Sequence, residues 1–121
     1  MHNNEYETVY ISSSELSEEQ YTILNQKVLD LIAKHGGQVL VDEKWGRRKL
    51  AYPIRKQHYA NYTLIDFVGP ANLPSELARL ARLDDKFMRL LTVRVDERVD
   101  AEVAEEAAKK RSVQRLERLQ S

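Results

Sequence analysis

Along this chain the spacing of apolar positions switches between two and three-to-four, and each switch marks an element. Glu5 to Ser12 is rich in β-branched and aromatic residues and reads as a strand, which Ser12, Ser13 and Ser14 end. Ser17 with Gln20 three positions on is a capping-box signature. Tyr21, Leu24, Val28, Leu31 and Ile32 then form one helical stripe, stopped by Gly36 and Gly37. Val39 and Val41, the interval through Trp45, and Leu50 to Ile54 read as a long strand interrupted at Gly46 by a bulge or bend, with Pro53 at its end or edge. Tyr59 to Val68 is a further strand, apolar at Tyr62, Leu64, Ile65 and Phe67 and closed by Gly69-Pro70. Pro74 suits a first helical turn, and Leu73, Leu77 and Leu80 carry that helix to about Leu83. After the Asp84-Asp85 turn, strict alternation puts Phe87, Leu91, Val93 and Val95 on one face of a strand and Met88, Leu90, Thr92 and Arg94 on the other.

The order strand, helix, strand, strand, helix, strand predicts an α+β fold of the ferredoxin-like split βαβ kind, βαββαβ. Two helices should cover one face of a four-stranded antiparallel sheet. The domain is expected over residues 1–96, and a charged C-terminal tail over 97–121. In the tail Glu105 with Lys109 and Glu106 with Lys110 are favourable helical pairs, each worth only about 0.2–0.5 kcal/mol when exposed. The expectation is a segment that frays alone and orders against a partner, or else a solvated helix.

A length of 121 residues, 42% hydrophobic and 31% charged, suits one soluble domain. No run approaches the roughly 18 apolar residues of a spanning helix, and the first residues lack a basic start followed by an apolar stretch. A cytoplasmic protein is expected. Without cysteine there are no disulfides and no thiolate chemistry. His2, His35 and His58 include no pair at i, i+4 spacing, so no metal site and no cofactor is expected. No catalytic constellation emerges either: Asp84-Asp85 sits at a turn without a neighbouring histidine, and an enzyme is not expected.

Charge changes the picture through its distribution. The net charge is zero, which by itself disfavours a polyanion partner. Yet Lys44, Arg47, Arg48, Lys49, Arg55 and Lys56 lie together with no acidic residue among them, while Glu18, Glu19 and Asp30 mark the first helix as acidic. Arginine grips phosphate with paired hydrogen bonds and lysine adds a mobile charge. Trp45, Tyr52, His58 and Tyr59 interleave rings that could stack on unpaired bases. RNA binding is one reading of this segment. A solvated basic edge, with the rings packed in the core, is the other.

The run Trp45-Gly46-Arg47-Arg48-Lys49-Leu50-Ala51-Tyr52-Pro53-Ile54, with Lys56 two residues on, resembles the signature of the bacterial small-subunit ribosomal protein S-six family. Tyr6-Glu7, His58, Ala60, Tyr62, Asp85 and Arg89 are similar to family positions too, so the resemblance spans residues 5 to 95. It implies a structural, non-enzymatic protein of the cytoplasmic small subunit that pairs with ribosomal protein S-eighteen. The pair would bind the central domain of 16S rRNA, with no membrane and no small-molecule substrate. Carried over by position, it makes Arg48 and Lys49 the first candidates for RNA contact, with Arg47, Lys56 and Arg89 next. Lys44, Trp45, Tyr52, Arg55 and His58 are possible RNA or partner contacts. Leu50, Ala51 and Ile54 should pack the sheet.

Rival readings are weaker. An acylphosphatase-type enzyme would need a glycine-rich phosphate loop with an arginine after the first strand, where Ser12-Ser13-Ser14-Glu15 stands. A small-ligand regulatory domain would usually place a glycine in that loop. A generic single-stranded RNA module of the RNA-recognition-motif type would need a basic residue and a glycine in the third strand, and Tyr59 to Phe67 has the aromatics without them.

Overall fold

The computed structural model describes residues 3–120; His2 lies outside them. The elements are β1 (Asn4–Ser13), α1 (Glu18–Lys34), β2 (Gln38–Ile54), β3 (Gln57–Gly69), α2 (Leu73–Leu83), β4 (Phe87–Asp96) and α3 (Ala101–Gln120). The four strands form one antiparallel sheet in the order β2-β3-β1-β4, the expected ferredoxin-like arrangement.

Helix α1 starts where the capping box predicts. Ser17 Oγ accepts from the Gln20 amide at 3.1 Å, and Gln20 Oε1 accepts from the Ser17 amide at 2.9 Å, a pairing worth about 1 kcal/mol. The helix ends before Gly36, whose φ of 78° is the left-handed turn glycine permits. Leu24, Val28 and Ile32 from α1 and Leu73 and Leu77 from α2 bury against Tyr6, Tyr10, Ile65, Phe67 and Phe87 of the sheet. A polar thread crosses this core: Tyr10 donates to Asn25 Oδ1, and Asn25 Nδ2 donates to Asp42 at 2.9 Å. Burial pushes the Tyr10 phenol well above its ordinary range, with Tyr21 nearby adding to the rise.

Alternation along β4 does not run as the sequence suggests. Ser12 pairs with Phe87 but Ile11 pairs with Arg89, so a bulge at Met88 breaks the register. Phe87 therefore joins Leu90 in the helix-covered core, while Leu91, Val93 and Val95 stay exposed on the opposite face.

The tail is helical, as one expected reading had it, but packs within the chain. It forms α3 and docks on the sheet face opposite α1 and α2, ordering against the chain's own strands. Ala104 and Ala108 pack with Leu40 and Val68. Arg111 reaches Glu5 and Asp66, and Arg115 reaches Glu43 and Glu7. Glu5, Glu43 and Asp66 are all buried, so two arginines face a cluster of carboxylates beneath the helix. Burial first, and Glu5 beside it second, push the Asp66 carboxyl up to about 8. Burial also acts to raise Glu43, but its hydrogen bonds from Arg115, Trp45 and Ser112 outweigh that and hold it below its ordinary value.

Candidate nucleic-acid interface

The basic segment lies on the long β2–β3 hairpin, and its register decides which cations share a surface. Lys44 pairs with Thr63, Gly46 with Tyr62, Arg47 with Asn61 and Lys49 with Tyr59. Trp45 is therefore the extra residue of a bulge, and Gly46 has a φ of 78° that suits it. The bulge resets the alternation, so that Lys44, Arg47 and Lys49 all project from the face that carries α1 and α2. Arg48 pairs with Ala60 and projects from the other face.

On the α1 side the Arg47 guanidinium lies 3.9 Å over the ring of Tyr59, a cation–π contact that pre-positions it. Arg47, Lys49, Lys56, His58 and Tyr59 line an open cleft of about 430 Å³, closed on its far side by Ser14 and Glu15. Ser13 Oγ donates to Gln57 Oε1 at 3.0 Å and ties that loop to the hairpin. The hairpin turns through Arg55 and Lys56, with φ of 51° and 65°, between Ile54 and Gln57. A two-residue turn of this hand normally recruits glycine or asparagine. Here Arg55 donates to the carbonyls of Asp85 and Phe87, so its charge is engaged in holding the turn against the start of β4.

The opposite face carries a different set. Trp45 stacks on Tyr62 with ring centroids 6.2 Å apart and planes 8° from parallel, and its Nε1 donates to Glu43 at 3.0 Å. Arg48 Nε donates to the Trp45 carbonyl at 3.2 Å, and Arg89 sits 5.8 Å over Tyr52. Leu50 packs with Ile11 and Ala60, with Ile54 beside them, as expected of apolar residues in the signature, whereas Ala51, expected to pack with them, is exposed.

The structure thus brings together Arg47, Lys49, Lys56 and His58, keeps Lys44 nearby over the ring of Tyr21, and sets Arg48, Arg89, Trp45 and Tyr52 apart. Among the described residues no carboxylate lies within 4.0 Å of a charged nitrogen of Arg47, Arg48, Lys49, Lys56 or Arg89, whereas Arg111 and Arg115 are paired. Sequence reasoning missed Ser14, Glu15 and Gln57 as cleft residues, since nothing in a serine-rich turn announces its neighbours. No group of three or more histidines and carboxylates suited to a metal occurs among the described residues.

Comparison with known proteins bears on the family and the fold. The sequence model of the family described as Ribosomal protein S6 matches residues 5–94. The chain is 37% identical over 105 residues to the small ribosomal subunit protein bS6 of Desulfatibacillum aliphaticivorans, covering 87% of this chain and 57% of that one. The bS6 of Syntrophobacter fumaroxidans is 35% identical and is spanned over 66% of its length, so the chain covers less than two thirds of these two relatives. The bS6 of Geobacter metallireducens is 42% identical over 102 residues, 84% of this chain and 86% of that one. The crystal structure of the 30S ribosomal protein S6 of Thermotoga maritima superposes with a TM-score of 0.73 at 25% identity, over 90% of this chain and 98% of that one. A match over residues 5–94, carried by the strands and helices that build the cleft, means that the chain belongs to the ribosomal protein S6 family.

Proposed function

We propose that this protein is a structural, non-catalytic constituent of the cytoplasmic small ribosomal subunit. On this reading it binds the central domain of 16S rRNA jointly with ribosomal protein S-eighteen. The observation that carries the RNA contact is the row of cations Arg47, Lys49 and Lys56, none of them ion-paired among the described residues, around one cleft that Glu15 also borders. Such groups release counterions when they meet phosphates, and that release supplies affinity in a protein of zero net charge. Arg48 and Arg89, on the other face with Trp45 and Tyr52, would serve a second strand or the partner protein.

The alternative, single-strand reading by rings on the two central strands, is disfavoured by what stands on that face. That face of the central strands carries Glu5, Glu7, Val9 and Ile11 of β1 and Leu64 and Asp66 of β3, of which Glu5, Glu7 and Asp66 are engaged by α3, and Tyr62 is taken up by Trp45. Quantitative sedimentation of the tagged protein with subunits from cells tests the proposal. Stoichiometric association with small subunits is expected. A protein that stays at the top of the gradient, or one whose rRNA affinity is the same with S-eighteen omitted, would count against it.

A further inference from the structure

Beside the cation cleft lies a second, smaller pocket that the signature touches only at Gly46. It opens between the start of α1 and the β2–β3 hairpin, has a volume of about 190 Å³, and is bounded by Leu16, Tyr21, Lys44, Gly46 and Asn61. That is below the roughly 300–1,000 Å³ of whole-ligand sites, and fits one flat ring system. We propose that this pocket receives a single unstacked nucleobase of the bound RNA, while the neighbouring cleft holds the phosphates that follow it. The inference rests on the RNA-binding reading above.

The walls suit a base. Leu16 and the ring of Tyr21 are partly buried and apolar, and the Tyr21 hydroxyl is turned inward to Thr63 Oγ1. The Lys44 ammonium lies 5.3 Å from the Tyr21 ring centroid, so a positive charge stands at the pocket wall beside that ring. Asn61 spends its amide on the Ser13 carbonyl at 3.3 Å, which leaves its carbonyl oxygen as an acceptor for a base edge. At Gly46 nothing lies within 4 Å of where a side chain would begin, so the pocket mouth is open.

Placement on the hairpin links the two sites. Strand residues advance about 3.3 Å each, so Arg47 stands about 3 Å and Lys49 about 10 Å beyond Gly46, toward the Lys56 turn. Leu16, Ser17 and Glu18 bound the pocket while Ser14 and Glu15 bound the cleft, so one loop runs past both. A flat apolar slot joined to a cationic track matches a nucleotide, which is a ring carrying an anion. An apolar side chain of a partner protein would use the slot and leave the cations idle.

Leu16→Trp fills the pocket and leaves every cation in place. Filter binding to a central-domain 16S rRNA transcript, with S-eighteen present, should show roughly a tenfold loss of affinity, the scale of one lost base–aromatic contact, with the salt slope unchanged. Wild-type affinity in a Leu16→Trp protein with a native melting curve overturns the pocket and leaves the RNA reading intact. Wild-type protein that shows no salt-dependent affinity overturns both. A variant that keeps RNA affinity but loses S-eighteen gives the pocket to protein and overturns the proposal. Should Leu16→Trp not fold, the unaltered protein irradiated on 4-thiouridine transcript decides: crosslinks are expected at Leu16, Tyr21, Lys44 or Asn61, which line the pocket and not the cleft, and crosslinks confined to the cleft residues overturn the assignment.

Discussion

Arg115 of α3 grips Glu43 of β2 with two parallel hydrogen bonds, Nε to one carboxylate oxygen at 3.0 Å and an Nη to the other at 2.5 Å. Glu43 is 4% exposed, so removal of the arginine strands a buried charge. Breaking such a pair on one side costs about 3 kcal/mol or more. Arg115→Ala is expected to lower the unfolding free energy from urea titration by that measure, and Arg115→Met with Glu43→Gln to recover most of it. Equal stabilities for single and double variants would mean that the pair is idle.

Asp66 gives stability a pH dependence. An acid whose pKa is about 8 when folded, against about 3.9 unfolded, holds a proton that the unfolded chain has released. Stability therefore declines as pH rises from about 4 to about 8. Glu43, held low, works the other way and loses its contribution only in acid, as pH falls through its folded pKa. Asp66→Asn should match the wild type near pH 4 and exceed it at pH 8. Urea titrations at the two pH values measure the difference, and parallel curves would refute it.

Cations of one cleft should act as a set. Replacing Arg47, Lys49 and Lys56 with glutamine is expected to reduce the salt slope of rRNA binding by about 2, since each lost phosphate contact removes roughly 0.7 to 0.9. Arg48→Gln with Arg89→Gln should reduce it by less. An equal reduction from the two sets would show that the faces are not distinct in use.

The hairpin turn sets stability against binding. Lys56 holds a φ of 65°, which costs a side-chain-bearing residue roughly 1–2 kcal/mol. Lys56→Gly should raise the melting temperature while weakening rRNA affinity, because the same substitution relaxes the turn and deletes a cleft cation. Arg55→Gly relaxes φ as well but forfeits the bonds to Asp85 and Phe87, so its melting temperature should not rise by as much.

The sequence carried the strands, both covering helices and the basic hairpin, because period, capping and turn chemistry are local. It did not carry the face of Phe87 or the placing of Lys44 on the same face as Arg47 and Lys49. Each turns on one bulge residue, Met88 or Trp45, which shifts everything beyond it across the sheet. Gly46 flagged one bulge; nothing in Phe87-Met88-Arg89 flagged the other. Docking of α3 was hidden for another reason. Its buried residues Ala104, Ala108 and Ser112 are small, and its arginines find their carboxylates 45 to 108 positions away in sequence.

The paired arginines of α3 shape how the whole molecule would be felt at a distance. The α3 arginines are spent on carboxylates of the sheet, whereas Arg47, Lys49 and Lys56 are not ion-paired among the described residues, so the positive charge free to meet a phosphate lies at the hairpin end. Near a phosphate lattice such a body is turned before it is attracted. It would arrive hairpin first, so that few encounters are spent in wrong orientations, and added salt would blunt the aim along with the grip.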